Sequence, residues 1–145
     1  MSRLLKKLLL FFSSFLRKEK SKTNSLKISD AIILTVMEKL SDFEDKQGFL
    51  KPITLHKLAK KLKTNPKYLS RIINDQYQKN FSSYINDLRI NHVLKELNTD
   101  NSLKACTVKA LAKKLGFGNT ESFAKAFKKH TGVNPSNYLN SLLHK

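Results

Sequence analysis

Residues 54–62, TLHKLAKKL, return as TVKALAKKL at residues 107–115, with six of nine positions identical at an offset of 53. One added residue lengthens the following turn, and the match then resumes at an offset of 54. Asn65 pairs with Asn119, Leu69 with Phe123, Ser70 with Ala124, Arg71 with Lys125 and Ile73 with Phe127. Further on, Asn80 pairs with Asn134, Ser82 with Ser136 and Tyr84 with Tyr138. Two copies are too few for a solenoid; they mark one duplicated unit.

Each copy reads as helix, tight turn, helix. Thr54 and Thr107 are N-cap residues for helices carrying Leu55, Leu58, Ala59 and Leu62, or Val108, Leu111, Ala112 and Leu115. In the first copy Lys63 and Thr64 turn the chain, Asn65 caps, and Pro66 takes the first helical position, where its missing N–H costs nothing. In the second, Gly116-Phe117-Gly118 supplies the turn and Asn119 the cap, with Gly116 suited to a left-handed position and Phe117 to the core. Short helices meeting at a sharp turn define a helix-turn-helix.

Working outward, Asn80 caps a longer helix over residues 81–97, with Phe81, Tyr84, Ile85, Leu88, Val93 and Leu97 on its buried side. Ile32, Ile33, Val36, Leu40 and Phe43 mark an amphipathic helix before the first copy. After the second, Asn134-Pro135 opens a last helix with Tyr138, Leu139 and Leu142 inward. The expected fold is all-α: two helix-turn-helix subdomains joined by a long linker helix, about seven helices, plus an N-terminal amphipathic segment. The domain is expected over residues 28–145, with residues 1–27 as leader and linker.

Charge narrows the function. The 145 residues carry 28 Lys and Arg against 11 Asp and Glu, a formal net charge of +17. That excess costs self-repulsion in the compact state, so a polyanionic partner is the natural explanation. Residues 29–45 hold five acids and one lysine, whereas residues 46–145 hold 19 bases and five acids, which places the polyanion-binding surface beyond residue 45. The single cysteine, Cys106, excludes an internal disulfide and fits a reducing compartment. His56, His92, His130 and His144 are scattered without ligand-like spacing, so no metal and no cofactor are expected.

The leader MSRLLKKLLLFFSSFLRKEKSK is ambiguous. Its apolar run from Leu8 to Leu16 is interrupted by Ser13 and Ser14 and falls short of the about 20 residues that span a bilayer. No small-residue cleavage site follows it. Leu4, Leu5, Leu8, Leu9, Phe12, Phe15 and Leu16 recur at helical spacing among Lys6 and Lys7, a pattern that suits peripheral contact with an anionic membrane through residues 4–16. Docking on the domain, or an unstructured leader, are the plainer alternatives.

Helical wheels nominate the reading residues. On the second helix of copy one, Tyr68, Leu69, Ile72 and Ile73 gather on one side, and Lys67, Ser70, Arg71 and Asn74 on the other. Arg71 has the fork that meets guanine bidentately, while Ser70 and Asn74 exchange hydrogen bonds with several bases. In copy two Phe123, Ala126 and Phe127 are inward; Glu121, Lys125 and Lys128 point away, with Thr120 and Ser122 near the N-terminal end. Glu121 either accepts from a cytosine amino group or supports a neighbouring lysine. Lys60, Lys61, Lys113, Lys114, Lys128 and Lys129 are expected on phosphates, adding affinity and salt dependence with little sequence information.

These residues resemble the tandem helix-turn-helix domain of AraC/XylS-family transcription regulators over about residues 50–140. The most specific stretch is LAKKLGFGNTESFAKAFKKHTGVNPSNY, Leu111–Tyr138, joined by LAKKLKTNPKYLSRIIN and YINDLRI in the first half. ISDAIILTVMEKLSDFEDKQGFL resembles the lead-in of members from Bacteroidetes bacteria, where the domain often follows a membrane segment and helical repeats. The resemblance implies two recognition helices in successive major-groove segments of double-stranded DNA, with Lys67, Ser70 and Arg71, then Thr120, Glu121 and Lys125, at the base-contacting positions. It also implies a cytoplasmic, nucleoid location and RNA polymerase as a candidate further partner. Arg89 falls where the family usually has an arginine in the linker helix; Lys79 replaces a common glycine, and Leu139 a common arginine. No small-molecule effector domain is evident, so the family's effector sensing is not implied.

Two other classes compete: a membrane-surface protein acting through its leader, and a non-specific nucleoid or RNA binder. No aromatic stacking platform favours RNA, and no nucleophile–base pair, phosphate loop or metal motif favours an enzyme.

Overall fold

Seven helices begin in one way: a polar side chain accepts a hydrogen bond from the backbone N–H three residues on. The pairs are Ser29–Ile32, Thr54–Lys57, Asn65–Tyr68, Asn80–Ser83, Thr107–Ala110, Asn119–Ser122 and Asn134–Asn137, at 2.7–3.4 Å. Each satisfies one of the orphan donors of a helix start and contributes about 1 kcal/mol. The computed structural model describes Lys6, Leu9 and residues 27–144. Among these, the helices are α1 (Asp30–Asp45), α2 (Leu55–Lys61), α3 (Pro66–Tyr77), α4 (Phe81–Thr99), α5 (Asn101–Lys104), α6 (Val108–Lys114), α7 (Thr120–Thr131) and α8 (Pro135–Leu143). A 3-10 turn spans Gly48–Leu50. The described residues contain no strand, and the fold is all-α as expected.

The sequence reading anticipates seven of these eight. The addition is α5, four residues capped by Asp100, whose side chain accepts from Ser102 N–H and Oγ. One turn is too short to show a helical period. Those two bonds hold the Asp100 carboxyl below its ordinary value.

The described residues form two units. One comprises residues 27–47 and 54–84, the other residues 48–53 and 85–144. In the first unit Val36, Met37, Leu40 and Phe43 of α1, Leu58, Ala59 and Leu62, Leu69, Ile72 and Ile73 of α3, and Tyr84 are buried. Buried with them is the carboxylate of Glu44, whose Oε1 accepts from Tyr84 Oη at 2.6 Å. Ile32 departs from expectation: it is 39% exposed. Helical spacing identifies a face but not how far along the helix its neighbours reach.

The core of the second unit is Ile90, Val93, Leu97, Leu103, Leu111, Ala112, Leu115, Phe117, Phe123, Phe127 and Leu139. Phe117, Phe123, Phe127 and Tyr138 form a chain of ring contacts at 5.2–5.7 Å between centroids. Phe49 is also buried in this unit, its ring edge-on to His92 at 5.8 Å. Arg89 pins the same segment. Its guanidinium donates from Nε to Phe49 O at 2.7 Å and from Nη2 to Lys51 O at 3.1 Å, and lies 5.0 Å from the Phe117 ring centre. Burial lowers the Arg89 pKa from its ordinary value, and the two carbonyls and the ring face offset the lost hydration.

No helix among the described residues is long and apolar enough to cross a membrane. The proposed membrane contact through residues 4–16 lies outside the described residues, Lys6 and Leu9 apart.

Candidate nucleic-acid interface

Both copies turn the chain between their helices with the same hydrogen bonds. In the first, Lys63 N–H reaches Lys60 O at 3.1 Å and Thr64 N–H reaches Ala59 O at 2.9 Å. In the second, Gly116 N–H reaches Lys113 O at 3.1 Å and Phe117 N–H reaches Ala112 O at 3.0 Å. This pair of bonds is the Schellman motif, which requires a left-handed residue after the helix. Gly116 provides it at φ +85°, as its sequence context predicts, whereas Lys63 adopts φ 56° despite its side chain. The second copy demands glycine for another reason: a Cβ on Gly116 would sit 2.6 Å from Leu50 O. The residues around Gly116 signal the turn, and none of them signals this crossing with Leu50.

Each turn leads into the second helix of its copy, α3 or α7, which buries one face and leaves the other open to solvent. On α3, Leu69, Ile72 and Ile73 are buried, Lys67 and Asn74 are exposed, and Ser70 and Arg71 are half-buried. Tyr68, expected inward, is half-buried at the edge of the apolar face. Lys60 and Lys61 end α2 in the same unit and are exposed. Lys61 Nζ lies 5.8 Å from the Phe43 ring centre. On α7, Phe123 and Phe127 are buried, while Thr120, Glu121, Ser122, Lys125, Lys128 and Lys129 are all exposed. Lys113 and Lys114, at the end of α6, are exposed too. Every nominated residue thus reaches solvent, eight of the fourteen in the second unit and six in the first.

Two ion pairs lie within these faces. Arg71 Nε is 3.0 Å from Asp75 Oδ2 on α3, with side-chain exposures of 40% and 25%. Lys125 Nζ is 3.3 Å from Glu121 Oε1 on α7, both 78% exposed. Asp75 escaped the sequence reading, although its position four residues after Arg71 was a readable signal.

Two further contacts link helices, one within each unit. Lys39 Nζ donates to Leu62 O at 2.9 Å, satisfying a carbonyl at the end of α2. His130 Nδ1 lies 3.5 Å from Asp87 Oδ1, linking α7 to α4 within the second unit. Leu139, where the family resemblance would have an arginine, is buried in the core.

A family model described as a helix-turn-helix domain matches residues 58–141, and the chain belongs to this AraC-type helix-turn-helix family of transcription regulators. It is 34% identical over 90 residues to YtdP of Bacillus subtilis, an uncharacterized HTH-type transcriptional regulator, covering 62% of this chain and 11% of YtdP. Across the curated relatives it matches, the chain spans between 11% and 36% of their length. Among solved structures, the C-terminal domain of AraT, a response regulator from Geobacillus stearothermophilus, superposes with a TM-score of 0.61 over 80% of this chain and 88% of that one. Its identity of 23% makes this a likeness of fold. ToxT from Vibrio cholerae O395 is 29% identical with a TM-score of 0.58, covering 94% of this chain and 50% of ToxT.

Proposed function

We propose that the chain binds double-stranded DNA sequence-specifically and regulates transcription, with α3 and α7 each entering a major groove. One observation carries the reading: a duplicated, identically capped helix-turn-helix whose second helix in each copy turns a polar, cation-bearing face to solvent. Lys67, Ser70, Arg71 and Asn74 read bases from α3, and Thr120, Glu121, Ser122 and Lys125 from α7. Lys60, Lys61, Lys113, Lys114, Lys128 and Lys129 neutralise phosphates and set the salt dependence. Charge placement on α3 favours an anionic partner. Lys67 sits in the first turn, where the helix dipole disfavours a cation, and a phosphate there would reverse that cost. The reading places the chain at the nucleoid, in the cytoplasm, with RNA polymerase as a further partner.

The test is selection of the full chain against random-sequence duplex at physiological salt. An enriched motif is the expected result; enrichment no better than bulk DNA, with binding that follows salt alone, sinks the specific-regulator reading.

A further inference from the structure

Under the repeat offset of 54, Lys67, Arg71 and Asp75 of α3 correspond to Glu121, Lys125 and Lys129 of α7. The three positions follow one another at four-residue steps along one face, and the acid changes ends between copies. In α7 the acid comes first, in the opening turn, and pairs with the base four residues later. That order suits both the helix dipole and the preferred geometry of such pairs. In α3 the order is reversed: Arg71 precedes its acid, and Asp75 lies two residues from the end of a helix that runs to Tyr77. A carboxylate there faces the negative end of the dipole, in the less favourable pairing orientation. It also adds a negative charge to a surface read as meeting phosphates. The pair is nonetheless the tighter and less exposed of the two, 3.0 Å against 3.3 Å. The helix dipole and general affinity for DNA both count against an acid at this position, yet it stands 3.0 Å from Arg71.

We infer that Asp75 is a positioning residue that holds Arg71 for a guanine-specific contact, an inference that rests on the reading of α3 as a base-reading helix. Its Oδ2 engages Nε, one edge of the guanidinium. The Nη1/Nη2 edge is then fixed in direction, and a pair of parallel N–H donors is what guanine O6 and N7 accept. Holding the fork before binding turns a mobile cation, able to settle on any nearby phosphate, into a directed donor. Lys125, a point charge on a flexible stem in a largely exposed pair with Glu121, has no fork to hold. The two units therefore divide the work: α3 supplies sharp base discrimination, and α7 more of the general affinity.

The experiment compares base-preference profiles of the full chain as wild type, Arg71→Ala, Asp75→Asn, Asp75→Glu and the Arg71→Ala/Asp75→Asn double variant, with salt titrations and thermal melts alongside. Arg71→Ala is expected to flatten one guanine column. Asp75→Asn should reduce discrimination at that same column about 5- to 10-fold, at the low end of one bidentate contact, and add nothing in the Arg71→Ala background. Asp75→Glu restores part of the preference. If Asp75→Asn instead tightens binding to all sequences by one factor and leaves the column intact, the positioning role is overturned while the DNA-binding reading stands. If Arg71→Ala flattens no column, the base-reading assignment of Arg71 falls and this inference with it.

Discussion

Arg89 and Phe49 lie forty positions apart in the chain and meet through a 2.7 Å hydrogen bond from Nε to the backbone carbonyl oxygen. With the second bond to Lys51 O, one buried side chain fixes a stretch of backbone whose regular structure is a single 3-10 turn. Arg89→Lys keeps the charge but cannot span both carbonyls. It is expected to lower stability by about 1–3 kcal/mol, read from the midpoint of urea unfolding. A variant as stable as wild type would mean that the 48–51 segment is held without this fork.

The two inter-helix turns make a matched pair of opposite predictions. Gly116→Ala places a Cβ at φ +85° and 2.6 Å from Leu50 O, and should cost at least about 2 kcal/mol. Lys63→Gly relieves a strained φ of 56° at the equivalent place and should gain about 0.5–1 kcal/mol, since relief in the folded state outweighs the freedom added to the unfolded chain. Gly118→Ala, with nothing within 4 Å of its Cβ, is the neutral control. Thermal melts of the three variants check the order.

Tyr84 ties stability to alkaline pH. Its burial, and the Glu44 carboxylate it donates to, raise its pKa well above the ordinary 10.0. The raised folded value means that its contribution is complete below pH 10 and is lost as pH climbs further, because the unfolded state then releases a proton that the folded state keeps. The expected slope approaches about 1.4 kcal/mol per pH unit. Tyr84→Phe should cost about 1.5–3 kcal/mol at neutral pH, the worth of a hydrogen bond to a charged group, and flatten the alkaline limb. An unchanged alkaline limb in the variant would assign that limb to other groups.

Base readers and phosphate contacts should separate in binding assays. Arg71→Ala and Lys125→Ala are each expected to relax preference at a different position of one site, by about 1–3 kcal/mol for Arg71. Lys113→Ala should weaken all sequences alike and lower the salt slope by about one. A sequence-dependent effect of Lys113→Ala would move it into the reading set.

Much of this fold was legible because its signals are local. Thr54, Asn65, Thr107, Asn119 and Asn134 cap where their sequence context places them, and the apolar spacing of Leu69, Ile72 and Ile73, or Phe123 and Phe127, gives the buried faces directly. The hidden parts depend on what lies elsewhere in the chain. Nothing near Arg89 announces Phe49, nothing near Gly116 announces Leu50, and the spacing of Ile32 does not reveal that it stays exposed. Lys63 was hidden for a different reason: a left-handed turn is recognised by glycine, and here the chain uses lysine. Of the candidate interface, the polar faces are legible in the sequence, whereas the Arg71–Asp75 pair is signalled only by its four-residue spacing.

The placement of residues 48–53 has a consequence for how the molecule is made. They are synthesised between α1 and α2 of the first unit, yet belong to the second, whose remaining residues begin at 85. As the chain leaves the ribosome, Phe49 emerges forty residues ahead of Arg89, and Leu50 further still ahead of Gly116. The duplication evident in the sequence is therefore not a pair of separable beads. A gene fragment cut at residue 85 would encode a second unit missing Phe49 from its interior, and recombination between the two copies would have to carry this thread along.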